Sequence, residues 1–370
     1  HRVNQLPIVK TKGLHIVLVI DSLKPGGSER VACEMANYWA LQGKRVSLVT
    51  FKNDLPFYSL QEKVHYMALG IANSSRNWIS GILNTYRRVR VLRRELKNLS
   101  PDVVIGFFAD INSLLVVSAK TLRIPVVLSE RNHPLYHRIP VRWRWMRRLL
   151  YPVADRLVLQ TPDVERWYSR YRIPTHVIPN PLRDLSRKEG EKQHLIMAAG
   201  RLTHQKGFDL LLEAYARSGL YPEWQLVIAG EGQERVNLEN QASRLGISER
   251  VSFPGVLDDI DSYYRLASIF VLSSRYEGFP NVLAEAMAAG VPCISFDCPY
   301  GPAHMIRHNE TGILVPAEDI KSLAENLSHL ADHPDLRAGI SQQASREIRH
   351  RLDPNRIMEQ WEAVIRGVIG

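Results

Sequence analysis

Short apolar runs alternate with amphipathic stretches through both halves of the chain. Residues 14–20 form an almost unbroken apolar run, and Gly26 and Gly27 come shortly after it. An amphipathic stretch at residues 28–41 and a second apolar run at residues 46–51 follow. Strands that are buried on both faces of a parallel sheet are apolar throughout, whereas a covering helix is apolar on one side only. This order of strand, glycine turn, helix and strand predicts a doubly wound α/β domain.

The same pattern begins again in the second half of the chain. Apolar runs at residues 194–199 and 225–230 lie on either side of an amphipathic stretch at residues 208–218. Pro179 and Pro181 mark a rigid linker before this second series. A chain of 370 residues is long enough for two domains. We therefore expect two α/β domains that meet at this linker.

The most informative stretch is residues 275–290, between two apolar runs of the second half. Pro280 and Gly290 stand where a short helix would begin and end, because proline favours the first helical position and glycine the position after the last. Glu277 would then precede the helix, and Glu285 would lie inside it. Unpaired N–H groups at the start of a helix bind anions. Two carboxylates beside such a site suit a ligand with phosphates and hydroxyls, such as a nucleotide sugar. The alternative is that both are ordinary solvated carboxylates near a helix end.

Three separate motifs resemble the retaining glycosyltransferases of family 4. Glu277 and Glu285 are separated by seven residues and enclose Gly-Phe-Pro, and Arg201 is separated by four residues from Lys206, which glycine follows. Residues 26–30, Gly-Gly-Ser-Glu-Arg, resemble the Gly-Gly-x-Glu-Arg loop of that family. The resemblance implies an α/β fold of the GT-B type, with two Rossmann-like doubly wound parallel-sheet domains facing across an interdomain cleft.

The resemblance also assigns a part to each section of the chain. Residues 1–180 would be an N-terminal Rossmann-like domain that faces the acceptor and the membrane. Residues 181–352 would be a C-terminal Rossmann-like domain that binds the nucleotide sugar. Residues 353–370 would form a helix that packs back on the N-terminal domain.

The donor site that the resemblance implies is distributed over several turns. Arg201 and Lys206 would hold the diphosphate, Glu285 the ribose and Glu277 the hydroxyls of the sugar. The full set of expected donor-binding residues is Gly26, Gly27, Arg201, Lys206, Gly255, Val256, Glu277, Gly278, Phe279, Pro280, Asn281, Val282, Leu283 and Glu285. The base would lie against the backbone of Gly255 and Val256.

The expected catalytic residues are Glu277, Arg201, Lys206 and His133. Cations and helix amides aimed at the leaving diphosphate would supply the main catalytic effect. The resemblance implies retention of configuration by front-face attack, for which no protein nucleophile is needed. His133 departs from the family pattern, in which a histidine directly follows a glutamate, because Arg131 holds that position here.

We expect neither a metal site nor an obligatory cofactor other than the nucleotide-sugar donor. Asp259 and Asp261 are spaced like a metal-binding Asp-x-Asp motif. They stand at the start of a predicted helix at residues 258–266, so we interpret them as capping acids.

The charge is spread unevenly along the chain. Residues 1–180 carry 28 Lys and Arg against 12 Asp and Glu, a net charge of +16, and the remaining residues carry 20 against 26, a net charge of −6. A basic half joined to an acidic half indicates an anionic partner for the first half. Nucleic acid, anionic lipid and a phosphate-bearing acceptor are the candidates.

A basic helix is predicted at residues 76–99, with apolar residues at helical spacing and six cationic residues crowded into its second half. It resembles the basic helix of a bacterial family member that adds N-acetylgalactosamine to a polyprenyl-diphosphate glycan. We expect Arg87, Arg88 and Arg94 to bind a lipid diphosphate, since arginine forks match phosphate oxygens. Arg131 and Asn132 complete the predicted acceptor site. A packed helix with a solvated basic face is the alternative.

Residues 141–151 interleave aromatic residues with arginines. This pattern is typical of a helix at a membrane interface or of a single-strand nucleic-acid site. We favour the membrane, because no nucleic-acid-binding motif accompanies the pattern. The predicted membrane residues are Trp143, Arg144, Trp145, Arg147 and Arg148. A helix that simply packs against the domain is the alternative.

The remaining features bear on the compartment. Cys33, Cys293 and Cys298 are scattered in apolar surroundings and match no metal pattern, so we interpret them as reduced core thiols. No apolar run reaches the roughly 18 residues that a membrane span needs, and no signal-peptide pattern is found. We expect a cytoplasmic protein, peripheral on the inner face of the plasma membrane.

Together these patterns favour a retaining glycosyltransferase. It would move a hexose or N-acetylhexosamine from a UDP-sugar, with UDP-N-acetylgalactosamine a candidate, to a polyprenyl-diphosphate-linked glycan in bacterial polysaccharide or glycan assembly. One alternative is the same chemistry on a soluble acceptor. A second is a nucleic-acid-binding protein on an α/β scaffold.

Overall fold

The computed structural model describes residues 13–72, 78–131, 134–135, 139–185 and 190–370, with the backbone alone at residues 78–80. The chain forms two compact units. Unit 1 consists of residues 1–180 together with Asn355–Gly370, and unit 2 consists of Pro181–Pro354. Asn132 and His133, which the sequence analysis placed in the acceptor and catalytic sites, lie outside the described residues.

Unit 1 is built on a seven-stranded parallel sheet. Its elements are β1 (His15–Ile20), α1 (Gly27–Leu41), β2 (Arg45–Thr50), β3 (Val64–Ala68), α2 (Trp78–Leu99), β4 (Val103–Phe107), α3 (Ala109–Lys120), β5 (Val126–Ser129), α4 (Val141–Leu150), β6 (Arg156–Leu159), α5 (Pro162–Tyr168) and β7 (Thr175–Val177). The strand order is β3-β2-β1-β4-β5-β6-β7. Every residue of β1 is buried, as expected for a strand with helices on both sides.

Unit 2 repeats the architecture with a six-stranded parallel sheet in the order β10-β9-β8-β11-β12-β13. Its elements are β8 (Leu195–Ala199), α6 (Phe208–Arg217), β9 (Gln225–Ala229), α7 (Arg235–Arg244), β10 (Val251–Ser252), α8 (Ile260–Leu266), β11 (Ile269–Leu272), α9 (Asn281–Ala288), β12 (Cys293–Asp297), α10 (Pro302–Met305), β13 (Ile313–Pro316), α11 (Ile320–Asp332) and α12 (Pro334–Arg351).

The last helix, α13 (Pro354–Ile369), belongs to unit 1. Its residues Ile357, Trp361 and Ile365 are buried in one apolar core with β1 and α1. The helix therefore covers one face of the first sheet, while α3 and α4 pack in a second core on the other face. The sequence predicts a domain boundary at residue 180 and a returning helix from residue 353.

Each sheet has one place where the strand order reverses. In unit 1 this switch lies between β1 and β4, and in unit 2 it lies between β8 and β11. The turns that follow the two switch strands diverge to opposite faces of the sheet and leave a crevice at its carboxyl edge. Ligands of doubly wound folds bind in that crevice.

The structure confirms the predicted doubly wound α/β class and corrects some details. In α2, Ile82, Leu83 and Tyr86 belong to the apolar residues at helical spacing, yet they are 60%, 63% and 65% exposed. The later part of that helix is anchored in the core through Leu92 and Leu96. The three cysteines are free and buried, and burial raises the pKa of Cys33 and Cys298 to about 12.

Candidate functional site

Two turns meet at the switch point of unit 2, one after β8 and one after β11. The backbone N–H of Arg275 donates to the carbonyl of Gln205 over 2.8 Å, and the side-chain amide of Gln205 donates to the carbonyl of Tyr276 over 3.0 Å. The hydroxyl of Ser273 donates to the carbonyl of Lys206 over 3.0 Å. These bonds join the two turns into one rigid wall of the crevice.

Gly207 makes this close approach possible. Its φ is +61°, in the left-handed region that glycine adopts without strain. A Cβ atom at this position would lie 2.0 Å from the carbonyl oxygen of Ser273. The glycine after Lys206 is therefore required both by its conformation and by the neighbouring turn.

The wall carries a buried ion pair between two of the predicted site residues. The Lys206 ammonium lies 2.6 Å from Oε1 of Glu277, and the two side chains are only 15% and 5% exposed. The hydroxyl of Ser274 donates to the same oxygen over 2.6 Å. The resemblance to family 4 assigns Lys206 to binding a diphosphate and Glu277 to binding a sugar. The structure brings them into direct contact, and it adds Ser274, for which no motif gave a signal.

Arg201 lies on the same turn as Lys206 in a different environment, since its side chain is exposed. A cation in this position can reach a bound ligand at the mouth of the crevice. The turn thus offers one partly buried and one exposed cation to an anion, the arrangement expected for a diphosphate site.

The start of α9 is a weaker anion site than the sequence predicted. The helix begins at Asn281, one residue after the predicted Pro280. The N–H of Asn281 donates to the carbonyl of Phe279, and the N–H of Leu283 donates to that of Pro280, both over 3.0 Å. Two of the amides predicted to bind phosphate are therefore used within the chain. Gly290, with a φ of +72°, follows the helix end as predicted.

Glu285 is held by a residue that sequence reasoning missed. Its Oε2 lies 3.1 Å from Nε of Arg183, and the hydroxyl of Tyr264 lies 3.5 Å from the same oxygen. Arg183 also pairs with Asp261. Burial alone would lower the pKa of Arg183, but the carboxylates of Asp261 and Glu285 raise it above its usual value. A half-buried cation with two carboxylates stays charged and fixes the orientation of Glu285.

This pairing corrects the interpretation of the Asp-x-Asp sequence. Asp259 is the N-cap of α8, where its carboxylate accepts the N–H of Ser262 over 3.1 Å. Asp261 is not a cap but an ion-pair partner of Arg183. Within the described ranges, the structure has no group of three or more His, Cys, Asp or Glu residues arranged to hold a metal ion.

The predicted base-binding residues lie beside two glycine contacts. Gly255 has a φ of +81°, and its carbonyl accepts the N–H of Gly230 over 2.7 Å. A Cβ atom on Gly230 would lie 1.9 Å from the carbonyl oxygen of Gly200. The turns after β8, β9 and β10 are thereby packed backbone against backbone. Val256 next to them is 55% exposed and accessible to a ligand.

Gly26 and Gly27 lie in unit 1, at its own switch point after β1. Gly26 is the N-cap of α1 with extended backbone, and its N–H donates to the hydroxyl of Tyr58 over 3.1 Å. The hydroxyl of Tyr58 in turn donates to the Gly26 carbonyl over 3.1 Å. Tyr58 therefore fixes the glycine turn that the sequence predicted to approach the donor.

Arg131 does not fit its predicted place in an acceptor site, because it is buried. Its guanidinium donates to the side-chain oxygen of Asn180 and lies over the rings of Phe107 and Trp361 at 5.1 and 5.9 Å. Burial lowers the pKa of Arg131 to about 9. The residue is part of the core beside α13 and is not accessible to a phosphate at the surface.

The predicted diphosphate residues on α2 have three different environments. Arg87 is exposed. Arg94 is exposed as well, and it pairs with the neighbouring Glu95 over 2.8 Å. Arg88 is half-buried and donates to the carbonyl of Ile71 over 3.1 Å. Arg87 and Arg94 are therefore accessible at the surface, and Arg88 has a structural partner that the sequence did not indicate.

The predicted membrane residues on α4 divide between two faces. Trp143 and Arg147 are 5% and 4% exposed, which contradicts their prediction as membrane contacts. Arg147 donates to the hydroxyls of Tyr171 and Tyr168 over 3.2 and 3.3 Å. Arg144, Arg148 and Trp145 are exposed, and Trp145 is 61% exposed. In the described part of the chain no helix is both long and apolar enough to span a bilayer.

Comparison with known proteins identifies two domain families in this chain. The model described as Glycosyltransferase Family 4 matches residues 25–184, and the model described as Glycosyl transferases group 1 matches residues 183–347. Together they account for most of both units.

Three relatives are similar to the chain over nearly its whole length. An uncharacterised glycosyltransferase of Haemophilus influenzae is 29% identical over 92% of this chain and 96% of its own. The GalNAc-α-(1→4)-GalNAc-α-(1→3)-diNAcBac-PP-undecaprenol α-1,4-N-acetyl-D-galactosaminyltransferase of Campylobacter jejuni is 28% identical over 95% of this chain and 98% of its own. The amylovoran biosynthesis glycosyltransferase AmsD of Erwinia amylovora is 24% identical over 95% and 99%.

Solved structures share the fold at low sequence identity. Sucrose-phosphate synthase from Thermosynechococcus elongatus matches 96% of this chain and 98% of its own with a TM-score of 0.80 at 19% identity. HepE of Anabaena in complex with UDP-glucose matches 96% and 100% with a TM-score of 0.79, also at 19% identity. The chain is therefore a glycosyltransferase with the GT-B fold, and it belongs to glycosyltransferase family 4, with a C-terminal domain of the group 1 glycosyl transferases.

Proposed function

We propose that this chain is a retaining glycosyltransferase that moves a hexose or N-acetylhexosamine from a UDP-sugar to a polyprenyl-diphosphate-linked glycan in bacterial polysaccharide assembly. The observation that carries the proposal is the buried pair of Lys206 and Glu277 at the switch point of unit 2. The relatives support the pathway: one is named for an undecaprenol-diphosphate glycan and another for amylovoran biosynthesis. UDP-N-acetylgalactosamine is the first candidate donor.

The buried lysine suits a leaving diphosphate. An ammonium has three N–H donors, so Lys206 can keep its bond to Glu277 and still donate to a phosphate oxygen. Exposed Arg201 on the same turn adds a second cation from the solvent side. Charges fixed before the reaction stabilise the developing negative charge of the nucleoside diphosphate without reorganising.

The two glutamates are assigned to hydroxyl groups of the donor. A carboxylate accepts about four hydrogen bonds, so Glu285 can hold ribose hydroxyls while Arg183 holds it. Glu277 fixes the sugar, and with it the anomeric carbon, for attack by the acceptor hydroxyl. The attacking hydroxyl approaches the face that the diphosphate leaves, and a phosphate oxygen takes its proton. This order of steps retains the configuration of the anomeric carbon and requires no nucleophile from the protein.

The acceptor and the membrane are assigned to the exposed side of α2 and α4. Exposed Arg87 on α2 and exposed Arg144 and Arg148 on α4 provide cations for phosphate groups. Exposed apolar residues accompany them, among them Tyr86 and Trp145. Cationic and apolar side chains on one helical surface favour binding to an anionic lipid surface. We place the protein on the inner face of the plasma membrane.

The first test is a screen of nucleotide sugars for donor hydrolysis and for transfer, with and without an undecaprenyl-diphosphate-linked glycan. We expect turnover with a UDP-sugar and a large increase when the lipid-linked glycan is present. Turnover only with a soluble sugar acceptor would overturn the lipid-linked assignment and leave the glycosyltransferase class intact. Absence of turnover with every donor would overturn the proposal as a whole.

A second test separates the acceptor from the donor. Replacing Arg87 and Arg94 with glutamine is expected to raise the KM for the lipid-linked acceptor and to leave UDP affinity unchanged. The matched control replaces Arg244 and Arg250, two exposed arginines of unit 2, with glutamine. A loss of UDP affinity in the α2 variant would indicate misfolding, and an unchanged acceptor KM would remove α2 from the acceptor site.

The interleaved aromatic residues and arginines that suggested a nucleic-acid-binding protein do not share one exposed surface. Trp143 and Arg147 are buried, so α4 does not present a continuous aromatic and cationic surface on which bases could stack. Vesicle binding that RNA does not displace is the outcome that we expect.

A further inference from the structure

The carboxylate of Glu277 is held by two donors of very different character. Lys206 Nζ and Ser274 Oγ each lie 2.6 Å from its Oε1. The ammonium stands at the end of a flexible four-carbon stem, whereas the hydroxyl stands on a short side chain that is 1% exposed. Ser274 is therefore the more rigid of the two partners.

The backbone that follows Ser274 is fixed at two points. The next residue, Arg275, donates its N–H to the Gln205 carbonyl over 2.8 Å. Glu277 donates its own N–H to the Pro299 carbonyl over 3.3 Å. With the main chain held at these two points, the hydroxyl of Ser274 has a defined position relative to the carboxylate.

Both donors bind one oxygen and leave the other available. Among the described residues, no hydrogen bond reaches Oε2 of Glu277, although the side chain is only 5% exposed. A carboxylate that is fixed at Oε1 presents Oε2 in one direction. Such an oxygen accepts a hydrogen bond from a hydroxyl group that enters the crevice.

We propose that Ser274 is a positioning residue for the donor sugar. It fixes Oε1 of Glu277 so that Oε2 faces the sugar hydroxyls, and it maintains this orientation while Lys206 also donates to the diphosphate. The inference rests on the proposed function, since it assumes a nucleotide sugar in the unit 2 crevice. It adds that recognition of the sugar, and not of the nucleotide, depends on this serine.

The test compares sugar recognition with nucleotide recognition in the full chain. Ser274→Ala is expected to raise the KM for UDP-N-acetylgalactosamine about tenfold, the typical effect of losing a hydrogen bond to a charged group. The Kd for UDP, measured by calorimetry, is expected to change by less than about twofold. Ser274→Thr keeps the hydroxyl and is expected to restore most of the lost affinity.

Ser268→Ala is the matched control. Ser268 is also buried, lies at the other end of β11, and donates to the Gln193 carbonyl over 2.6 Å. We therefore expect Ser268→Ala to affect folding to a comparable extent without touching the crevice. Its KM for UDP-N-acetylgalactosamine is expected to match that of the unsubstituted chain.

Three outcomes would overturn the inference. They are equal losses of UDP and UDP-sugar affinity in Ser274→Ala, an unchanged KM, and the same rise in the Ser268→Ala control. In each of these cases the unsubstituted chain still transfers sugar, so the proposed function stands. If the unsubstituted chain neither binds UDP nor transfers sugar from any donor, the proposed function fails and the inference fails with it.

Discussion

Lys206 and Arg201 show how one turn gives two cations different properties. Lys206 is mostly buried against Glu277, so removing it leaves a carboxylate without its cation in a site from which water is largely excluded. Arg201 is exposed, and in the free protein water screens its charge. The motif that contains both residues does not reveal this difference, because burial depends on the neighbouring turn after β11.

We expect Lys206→Ala to lower kcat/KM more than Arg201→Ala does. By analogy with the loss of an oxyanion donor, the lysine variant should lose about 2 to 4 kcal/mol of transition-state stabilisation, and the arginine variant should fall at or below the lower end of this range. Steady-state kinetics with a UDP-sugar measures both. Arg217→Ala, which removes an exposed arginine of α6, is the control. Undiminished turnover in both site variants would place the chemistry elsewhere.

At this scale the sequence revealed the charged residues but not their partners. Glu277, Glu285 and Lys206 belong to motifs of fixed local spacing. Arg183 is 102 positions from Glu285, and only the folded chain brings the two together. Ser274 is close to Glu277 in sequence, but serine is common in turns, and nothing in the pattern distinguishes it from Ser273.

At the scale of a single element, helical spacing determines which residues of α4 share a buried face. Trp143 and Arg147 are four residues apart, so they lie on the same face of the helix, and that face is buried. Arg144 and Arg148 have the same spacing one position further on and are exposed. The sequence analysis treated the arginines and tryptophans as one surface. The 3.6-residue period divides them, but the sequence alone did not show which face turns inward.

The two tryptophans of α4 should therefore respond differently to the same substitution. Trp143→Ala leaves a large cavity in the core and is expected to lower the free energy of unfolding by about 3 to 5 kcal/mol. Trp145→Ala removes a 61% exposed side chain and should change the free energy of unfolding by less than about 0.5 kcal/mol. Urea unfolding measures both, and equal effects would contradict the assignment of faces.

The two turns of the unit 2 site are also joined by an ion pair between elements. Arg275, on the turn after β11, binds both carboxylate oxygens of Asp209 in the first turn of α6, over 2.9 and 2.7 Å. Burial alone would raise the pKa of Asp209, but the hydrogen bonds and charge of Arg275 outweigh it and lower the pKa below the usual 3.8. The ionised carboxylate therefore stabilises the folded state.

This pair should make part of the stability sensitive to acid. The folded-state pKa of Asp209 is lower than its unfolded value, so its contribution is present above pH 3.8 and is lost as the pH falls through the folded pKa. Asp209→Asn should therefore lower the free energy of unfolding by about 1 kcal/mol near neutral pH, after allowance for solvent screening. The effect should become progressively smaller below about pH 4. Urea unfolding at a series of pH values measures the difference. A difference that stays constant or grows on acidification would contradict the assignment.

At the scale of the whole molecule, the sequence predicted the two parallel sheets well, because strands buried on both faces are apolar throughout. It did not predict β7 and β13, which form one outer edge of each sheet. β7 has three half-buried residues, and β13 ends in a proline, so neither gives a clear apolar run. Nor does a sequence reveal the strand order. The position of the site between β8 and β11 becomes clear only when the order is known.

The uneven charge of the chain has a consequence at the same scale. The first 180 residues carry a net charge of +16 and the rest carry −6. The exposed arginines of α2 and α4 therefore belong to the basic part, and attraction to an anionic surface should act on unit 1. Each cationic residue close to an anionic membrane contributes about 1 kcal/mol to binding.

We expect the full chain to bind vesicles that contain anionic lipid and to bind purely zwitterionic vesicles weakly. Binding should fall as salt is raised, because the screening length decreases from about 10 Å at 0.1 M to about 3 Å at 1 M. Replacing Arg144 and Arg148 with glutamine should weaken binding at low salt about thirtyfold, as expected for two contacts of about 1 kcal/mol each. Trp145→Ala should instead reduce the binding that persists at high salt, since apolar burial is not screened. Sedimentation with vesicles measures how binding depends on lipid charge and on salt, and how each variant changes it. Equal binding to both kinds of vesicle, or no dependence on salt, would contradict electrostatic attraction of unit 1 to an anionic membrane, because a charged lipid surface predicts both the salt dependence and the separate effect of the tryptophan.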